Sequence, residues 1–187
     1  MSEHRRPRGR DWRIPFLGIS LLVIALDRLS KMWVIKHVVP TTHIVIIPHV
    51  FSISHVLNPG AAFSLFTDSA DPARTHLMLT GFSLLASIVV FGVLMYRGRK
   101  FTITALALAL ILGGAVGNLW DRIAYKEVTD FLAVTIIHYH WPDFNLADSA
   151  IVIGGILLLL DAVRSRKDHP ATPESSAKTQ EESPSRP

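Results

Sequence analysis

Three long runs in this chain leave little choice of solvent. Thr75 to Tyr96 contains no Asp, Glu, Lys or Arg, and Phe101 to Trp120 is likewise free of them. Phe144 to Val163 is apolar except for Asp148 near its start and Asp161 near its end. A helix rises about 1.5 Å per residue, so about 20 such residues cross the roughly 30 Å hydrocarbon core of a bilayer. A fourth run, Ile14 to Val34, is apolar until Asp27 and carries Arg28 and Lys31 in its last turns. Its basic flank resembles a signal peptide, but no small-residue cleavage site ends it, so it reads as a retained helix. The expected fold is therefore an integral membrane, mainly α protein. Its four transmembrane helices span about 14–34, 75–96, 101–120 and 144–163.

Composition agrees. Hydrophobic residues make up 49% of the 187 and charged residues 18%, with a mean hydropathy of +0.34. The chain has no cysteine, which removes disulfides, thiolate metal ligands and a cysteine nucleophile from consideration. Its net charge of +4 suggests a nucleic-acid partner less than a topology signal. Arg5, Arg6, Arg8, Arg10 and Arg13 precede the first span, Arg97, Arg99 and Lys100 link the second to the third, and Arg164, Arg166 and Lys167 follow the last. With four spans these clusters share one side, which the positive-inside rule makes cytoplasmic. Both termini then face the cytoplasm, with residues 1–13 as a basic tail, 14–167 as one membrane domain and 168–187 as a Pro/Ser-rich disordered tail.

The two outer loops are strand-like in part. His43 to Leu57 is rich in Ile, Val and Phe between breakers at Pro48 and Asn58-Pro59-Gly60, and Phe131 to Tyr139 is similar. A small extracytoplasmic β-rich sheet at the membrane surface is expected.

Ionisable groups in or beside a membrane span are costly and point to function. Here they gather in one layer near the outer face: Asp27 and Lys31, Asn118, Asp121 and Arg122, Asn145 and Asp148, with Asn58 and Asp130 in the loops. Gly114, Asn118 and Arg122 share one helix face, and the glycine admits a close neighbour. Asp27 and Lys31 are one turn apart and can pair. Both groups also read as polar ties between helices. Asp148 enters an apolar helix with no basic residue within a turn, and Asp130 precedes an apolar run. Two carboxylates within about 3 Å share a proton, so one acts as general base on water while the other polarises a carbonyl. Spacing alone does not bring this pair together. Asp121 competes for either role, although the adjacent Arg122 offers it an ion pair instead.

Other chemistries find less support. No H-E-x-x-H zinc motif or G-x-S-x-G elbow occurs, and adjacent Ser54 and His55 do not make a triad. His138 and His140 share a strand face but lack a third ligand. No metal and no cofactor is expected. A transporter or channel with an outward polar vestibule is the competing function, and a membrane scaffold is a third.

These segments resemble the bacterial lipoprotein signal peptidase family (signal peptidase II). The likeness rests on Asp27-Arg28-Leu29-Ser30-Lys31, with Ser30 where Thr is common, and on Asn58-Pro59-Gly60-Ala61-Ala62-Phe63-Ser64. It continues through Gly113 to Arg122, Val128-Thr129-Asp130-Phe131 and Phe144-Asn145-Leu146-Ala147-Asp148-Ser149, covering about Leu26 to Asp161 in order. The resemblance implies an aspartic endopeptidase with Asp130 and Asp148 as the dyad. Asp27, Lys31, Asn58, Gly60, Gly114, Asn118, Asp121, Arg122, Asn145 and Ala147 then support the site or the substrate. The implied reaction removes the signal peptide from a diacylglyceryl-modified prolipoprotein, just before the lipid-bearing cysteine, in the bacterial inner membrane. Membrane lipid and the prolipoprotein are the expected partners, with no nucleic acid. Ala133 to Pro142 is variable in the family, and His138-Tyr139-His140-Trp141 gives no separate function.

Overall fold

The computed structural model describes residues 10–59 and 71–167. Gly60 and the motif residues Ala61 to Ser64 lie outside the described residues, as do Arg5, Arg6, Arg8 and the tail beyond Lys167. The elements run α1 (Arg13–His37), β1 (His43–Ile47), β2 (Phe51–Asn58), α2 (Pro72–Arg97), α3 (Ile103–Tyr125), β3 (Val128–Ile136), β4 (Tyr139–His140) and α4 (Leu146–Lys167).

Among the described residues, three helical stretches are long and apolar enough to cross a membrane: Ala73–Arg97, Ile103–Tyr125 and Leu146–Ser165. The 25-residue α1 is not among them, since Asp27, Arg28 and Lys31 fall inside it. Two of the helices, α2 and α3, start where the sequence supplies a side-chain cap. Asp71 accepts the Arg74 N–H and Thr102 accepts the Ala105 N–H, both over 3.1 Å. Lys126, in the left-handed region at φ 66°, ends α3. That end lies a turn beyond the expected one, so Asp121 and Arg122 are helical. At the other boundary, Phe144 and Asn145 precede α4 rather than opening it.

α3 is the central post. It packs against α1, α2 and α4, and 56% of its most apolar stretch is buried within the protein, against 11% for α2. Leu77, Met78, Phe82 and Leu85 of α2 are instead exposed, as a lipid-facing helix requires. Phe16 of α1, Leu94 of α2 and Ala105, Leu108, Ala109 and Leu112 of α3 form a buried cluster. Beside it, the Trp12 and Phe101 rings meet at 5.0 Å and the Trp12 N–H reaches the Arg99 carbonyl. The start of α1 therefore sits at the α2–α3 link. Thr104 bonds Asp161 there too, bringing the end of α4 to the same pole.

The sheet occupies the opposite pole. Its strands are antiparallel in the order β1-β2-β3-β4. Phe131, Val34 and Val38 join sheet and α1 in a second buried cluster. The strand expected across Phe131 to Tyr139 is broken by a turn, with Ile137 at φ 60°. His138 falls in that turn and His140 in β4, so the two do not share a strand face.

Candidate active site

The site is assembled where the first turn of α4 meets α3, α1 and β3. Asn145 and Asp148 form a reciprocal cap: Asn145 Oδ1 accepts the Asp148 N–H over 2.9 Å, and Asp148 Oδ2 accepts the Asn145 N–H over 3.3 Å. The N-x-x-D spacing alone supports this capping box, and it fixes one oxygen of the Asp148 carboxylate. The other, Oδ1, accepts the Asn118 amide of α3 over 2.8 Å. Negative charge at a helix N-terminus is also favoured by the helix dipole.

Asp130 stands on β3, opposite Val56 of β2. Its Oδ1 accepts the Asn145 amide over 2.7 Å, and its Oδ2 accepts the Asn58 amide over 2.9 Å. Asn145 also donates to Asn118 Oδ1 over 3.2 Å, so these amides connect the two carboxylates. Asp130 is 3% exposed. Burial pushes its carboxyl up to about 7, and the nearby Asp148 charge pushes the same way, while the Asn58 and Asn145 amides oppose both. Asp130 and Asp148 line one cavity of about 520 Å³ with Asn58, Asn118 and Arg122. Its remaining wall is largely apolar, with Val128, Phe144, Ile151 and Val152. A peptide with a hydrophobic flank fits such a lining better than a free ion does.

A second carboxylate group lies beneath. Lys31, fully buried, makes 2.8 Å ion pairs with both Asp27 and Asp121, and it donates to Asn118 Oδ1 over 3.1 Å. Asp121 pairs again with Arg28, at 2.8 Å. The partners of Asp121 are thus Lys31 and Arg28 of α1, not the adjacent Arg122, because successive helix positions point about 100° apart. Arg28 also stacks over Tyr125, 4.7 Å from its ring centre, and bonds its hydroxyl. Arg122 points to the cavity and lies 3.4 Å from Ser83 Oγ and from the Asn118 carbonyl.

Two small residues set the spacing. Asp27 Oδ1 accepts the buried Ala147 N–H over 3.0 Å, satisfying a donor that the α4 N-terminus leaves open. A Cβ on Gly114 would collide with the Ala147 carbonyl oxygen, so α3 and α4 touch backbone to backbone there. A Cβ on Gly117 would stand 3.0 Å from Asp27 Oδ2. The described residues among the site candidates therefore fall in or directly beneath one layer, and Gly60 lies outside the described residues. Sequence reasoning did not select Arg28, or the cavity residues Trp141 and Asp143. Arg28 lies 93 residues from Asp121, and no local pattern announces that pairing.

The sequence profile described as Signal peptidase (SPase) II matches residues 19–164. A lipoprotein signal peptidase of Pseudomonas fluorescens strain Pf0-1 is 42% identical over 165 residues, covering 85% of this chain and 93% of the relative. That of Solibacter usitatus is 38% identical over 163 residues, covering 84% and 95%. A bacterial membrane enzyme solved by the in meso method at 2.3 Å resolution shares the fold, with a TM-score of 0.78, 22% identity and coverage of 89% and 98%. A second such structure, at 1.9 Å, aligns with a TM-score of 0.69, 25% identity and coverage of 85% and 99%. The transporter reading gives way to these matches, and the chain belongs to the signal peptidase II family.

Proposed function

We propose that this membrane protease removes the signal peptide from diacylglyceryl-modified prolipoproteins, by aspartic catalysis and just before the lipid-bearing cysteine. The observation that carries the reading is the pair of cavity-lining carboxylates held by neutral amides. Asp130, with its raised pKa, holds a proton and donates it toward the scissile carbonyl. Asp148, at the dipole-favoured start of α4, carries the charge and takes a proton from the attacking water. Asn58, Asn118 and Asn145 hold both carboxylates in place. Asp27, Lys31 and Asp121 carry the frame on which they sit, Gly114 and Ala147 set its spacing, and Arg122 faces the substrate. Gly60 belongs with Asn58 by its motif.

α1 serves as a fourth span in this reading, with its charges turned into the protein rather than to lipid. That burial supports the assignment, since Asp27 and Lys31 are 1% and 0% exposed. Residues 14–167 form the peptidase domain, and 1–13 and 168–187 are tails. The pole with Arg13, Arg97, Arg99 and Lys100 faces the cytoplasm, with both termini, and the sheet and cavity face outward. Acyl chains of the substrate stay in the bilayer, which holds the scissile bond near the interface, level with the dyad. Asp130→Asn and Asp148→Asn, made singly, are expected to lower processing of a lipidated precursor in membranes by about a thousandfold or more. Full activity in either variant overturns the dyad.

A further inference from the structure

The β2–β3 ladder slips between Ile53 and Val56. A bulge of this kind re-aims the side chains it carries, here Ser54 and His55, both buried. His55 turns to the end of α1, its Nδ1 2.7 Å from the Val38 carbonyl. Ser54 donates its hydroxyl to Asp143 Oδ2 over 2.7 Å. The other oxygen of Asp143 lies 3.2 Å from His140 Nε2, and His140 Nδ1 lies 3.3 Å from Thr135 Oγ1. One carboxylate, 13% exposed, therefore ties β2 to β4 and, through His140, to β3.

Asp143 stands two residues before Asn145. Between them Phe144 is stitched to β3: its carbonyl accepts from Phe131 and Leu132 over 3.0 and 2.8 Å, and its N–H reaches the Leu132 carbonyl over 3.2 Å. The connection from β4 to α4 is thus fixed by a side chain at Asp143 and by backbone at Phe144. The next residue carries the amide that bonds Asp130. Asp143 also forms part of the cavity wall with Trp141. The ionisable groups around it are His140 on its own segment and Asp130, Asp148 and Arg122 across the cavity.

We propose that Asp143, braced by Ser54 and His140, is a positioning residue that holds the β4–α4 connection so that the Asn145 amide meets Asp130. The proposal rests on the dyad reading above. A hydroxyl donating to a carboxylate is among the stronger hydrogen bonds. Misplacing a catalytic support by about 1 Å costs up to about a hundredfold in rate.

The test uses the full chain in lipid nanodiscs with a lipidated precursor as substrate. Asp143→Ala is expected to lower kcat about tenfold with KM within about twofold. The alkaline limb of the kcat–pH profile, which reports loss of the Asp130 proton, moves to higher pH, because a weaker Asn145 bond favours the ionised form less. Ser54→Ala shifts both readouts the same way, by about threefold in kcat, and Ser54→Thr restores them. The double variant is no worse than Asp143→Ala alone. If Asp143→Ala does not accumulate, the Ser54 pair decides. An unchanged kcat and pH limb in Ser54→Ala, or independent losses in the double variant, overturn the brace. Asp130→Asn runs in the same assay: if it stays active, the dyad falls and the brace with it. If it is dead while the Ser54 and Asp143 variants match the parent, the brace alone fails.

Discussion

Two pairs of carboxylates share one layer of this protein, and they are satisfied in opposite ways. Asp27 and Asp121 are met by cations, Lys31 between them and Arg28 at the side. Asp130 and Asp148 accept hydrogen bonds from Asn58, Asn118 and Asn145, and neither forms an ion pair among the described residues. A cation within contact distance ties a carboxylate to its neighbour in a fixed ion pair, which suits a structural role. An amide orients the carboxylate and leaves its proton exchangeable. Asn118 joins the two pairs, accepting from Lys31 and donating to Asp148. The frame can therefore be rigid while Asp130 above it still exchanges its proton.

Removing charge separates the two pairs most strongly. Losing either amide-held carboxylate is expected to lower processing about a thousandfold, under the dyad proposed above, whereas the cation-held pair is expected to fail through stability. Lys31→Met leaves two buried carboxylates facing each other without their shared cation. It is expected to destabilise the protein by about 3–5 kcal/mol, read as a lowered unfolding temperature in detergent. A variant as stable as the parent would remove the distinction between frame and site.

Titration separates the pairs next. Asp130 has its folded pKa raised above the ordinary 3.8, to about 7, so the folded state binds its proton more tightly than the unfolded chain does. Its contribution to stability is full below the ordinary value and is lost as pH rises to about 7, with a limiting slope of about 1.4 kcal/mol per pH unit. Unfolding temperatures measured from pH 5 to 8 are expected to fall for the parent and to fall less for Asp130→Asn. Parallel curves would show that Asp130 is ionised throughout.

The seam between the pairs gives smaller effects. Gly114→Ala forces α3 and α4 apart at Ala147, for a loss of about 1–3 kcal/mol and a displaced Asp148. Gly155→Ala, with open space around its new methyl, is expected to be neutral or slightly stabilising in the same thermal assay. Arg122→Ala is expected to reduce processing about tenfold, about 1.4 kcal/mol, while membrane insertion stays intact. Unchanged turnover there would remove Arg122 from the substrate side of the cavity.

Much of this layer is legible in the sequence alone. Apolar runs longer than a bilayer is thick have one comfortable environment, and the few charges left inside them stand out. The i, i+4 spacing of Asp27 and Lys31 gave their ion pair, and Gly114, Asn118 and Arg122 do share a face. What resisted reading was long-range. The apolar run predicts one strand through His138 and His140, and the turn at Ile137 separates them. Asp121 was set against its neighbour Arg122, yet its cations come from α1.

Sequence by itself determined the membrane class, the sheet-forming loops and the sorting of charge to two poles, because these follow from hydropathy, turn chemistry and spacing within a single element. Tertiary structure decided which carboxylates receive cations and which receive amides. That choice depends on the approach of α3 and α4 at Gly114, which sets the first turn of α4 against Asn118 and Asp27. Contacts between residues tens of positions apart leave no periodic trace in the chain, and so Asp130 and Asp121, indistinguishable as letters, came out with different chemistry.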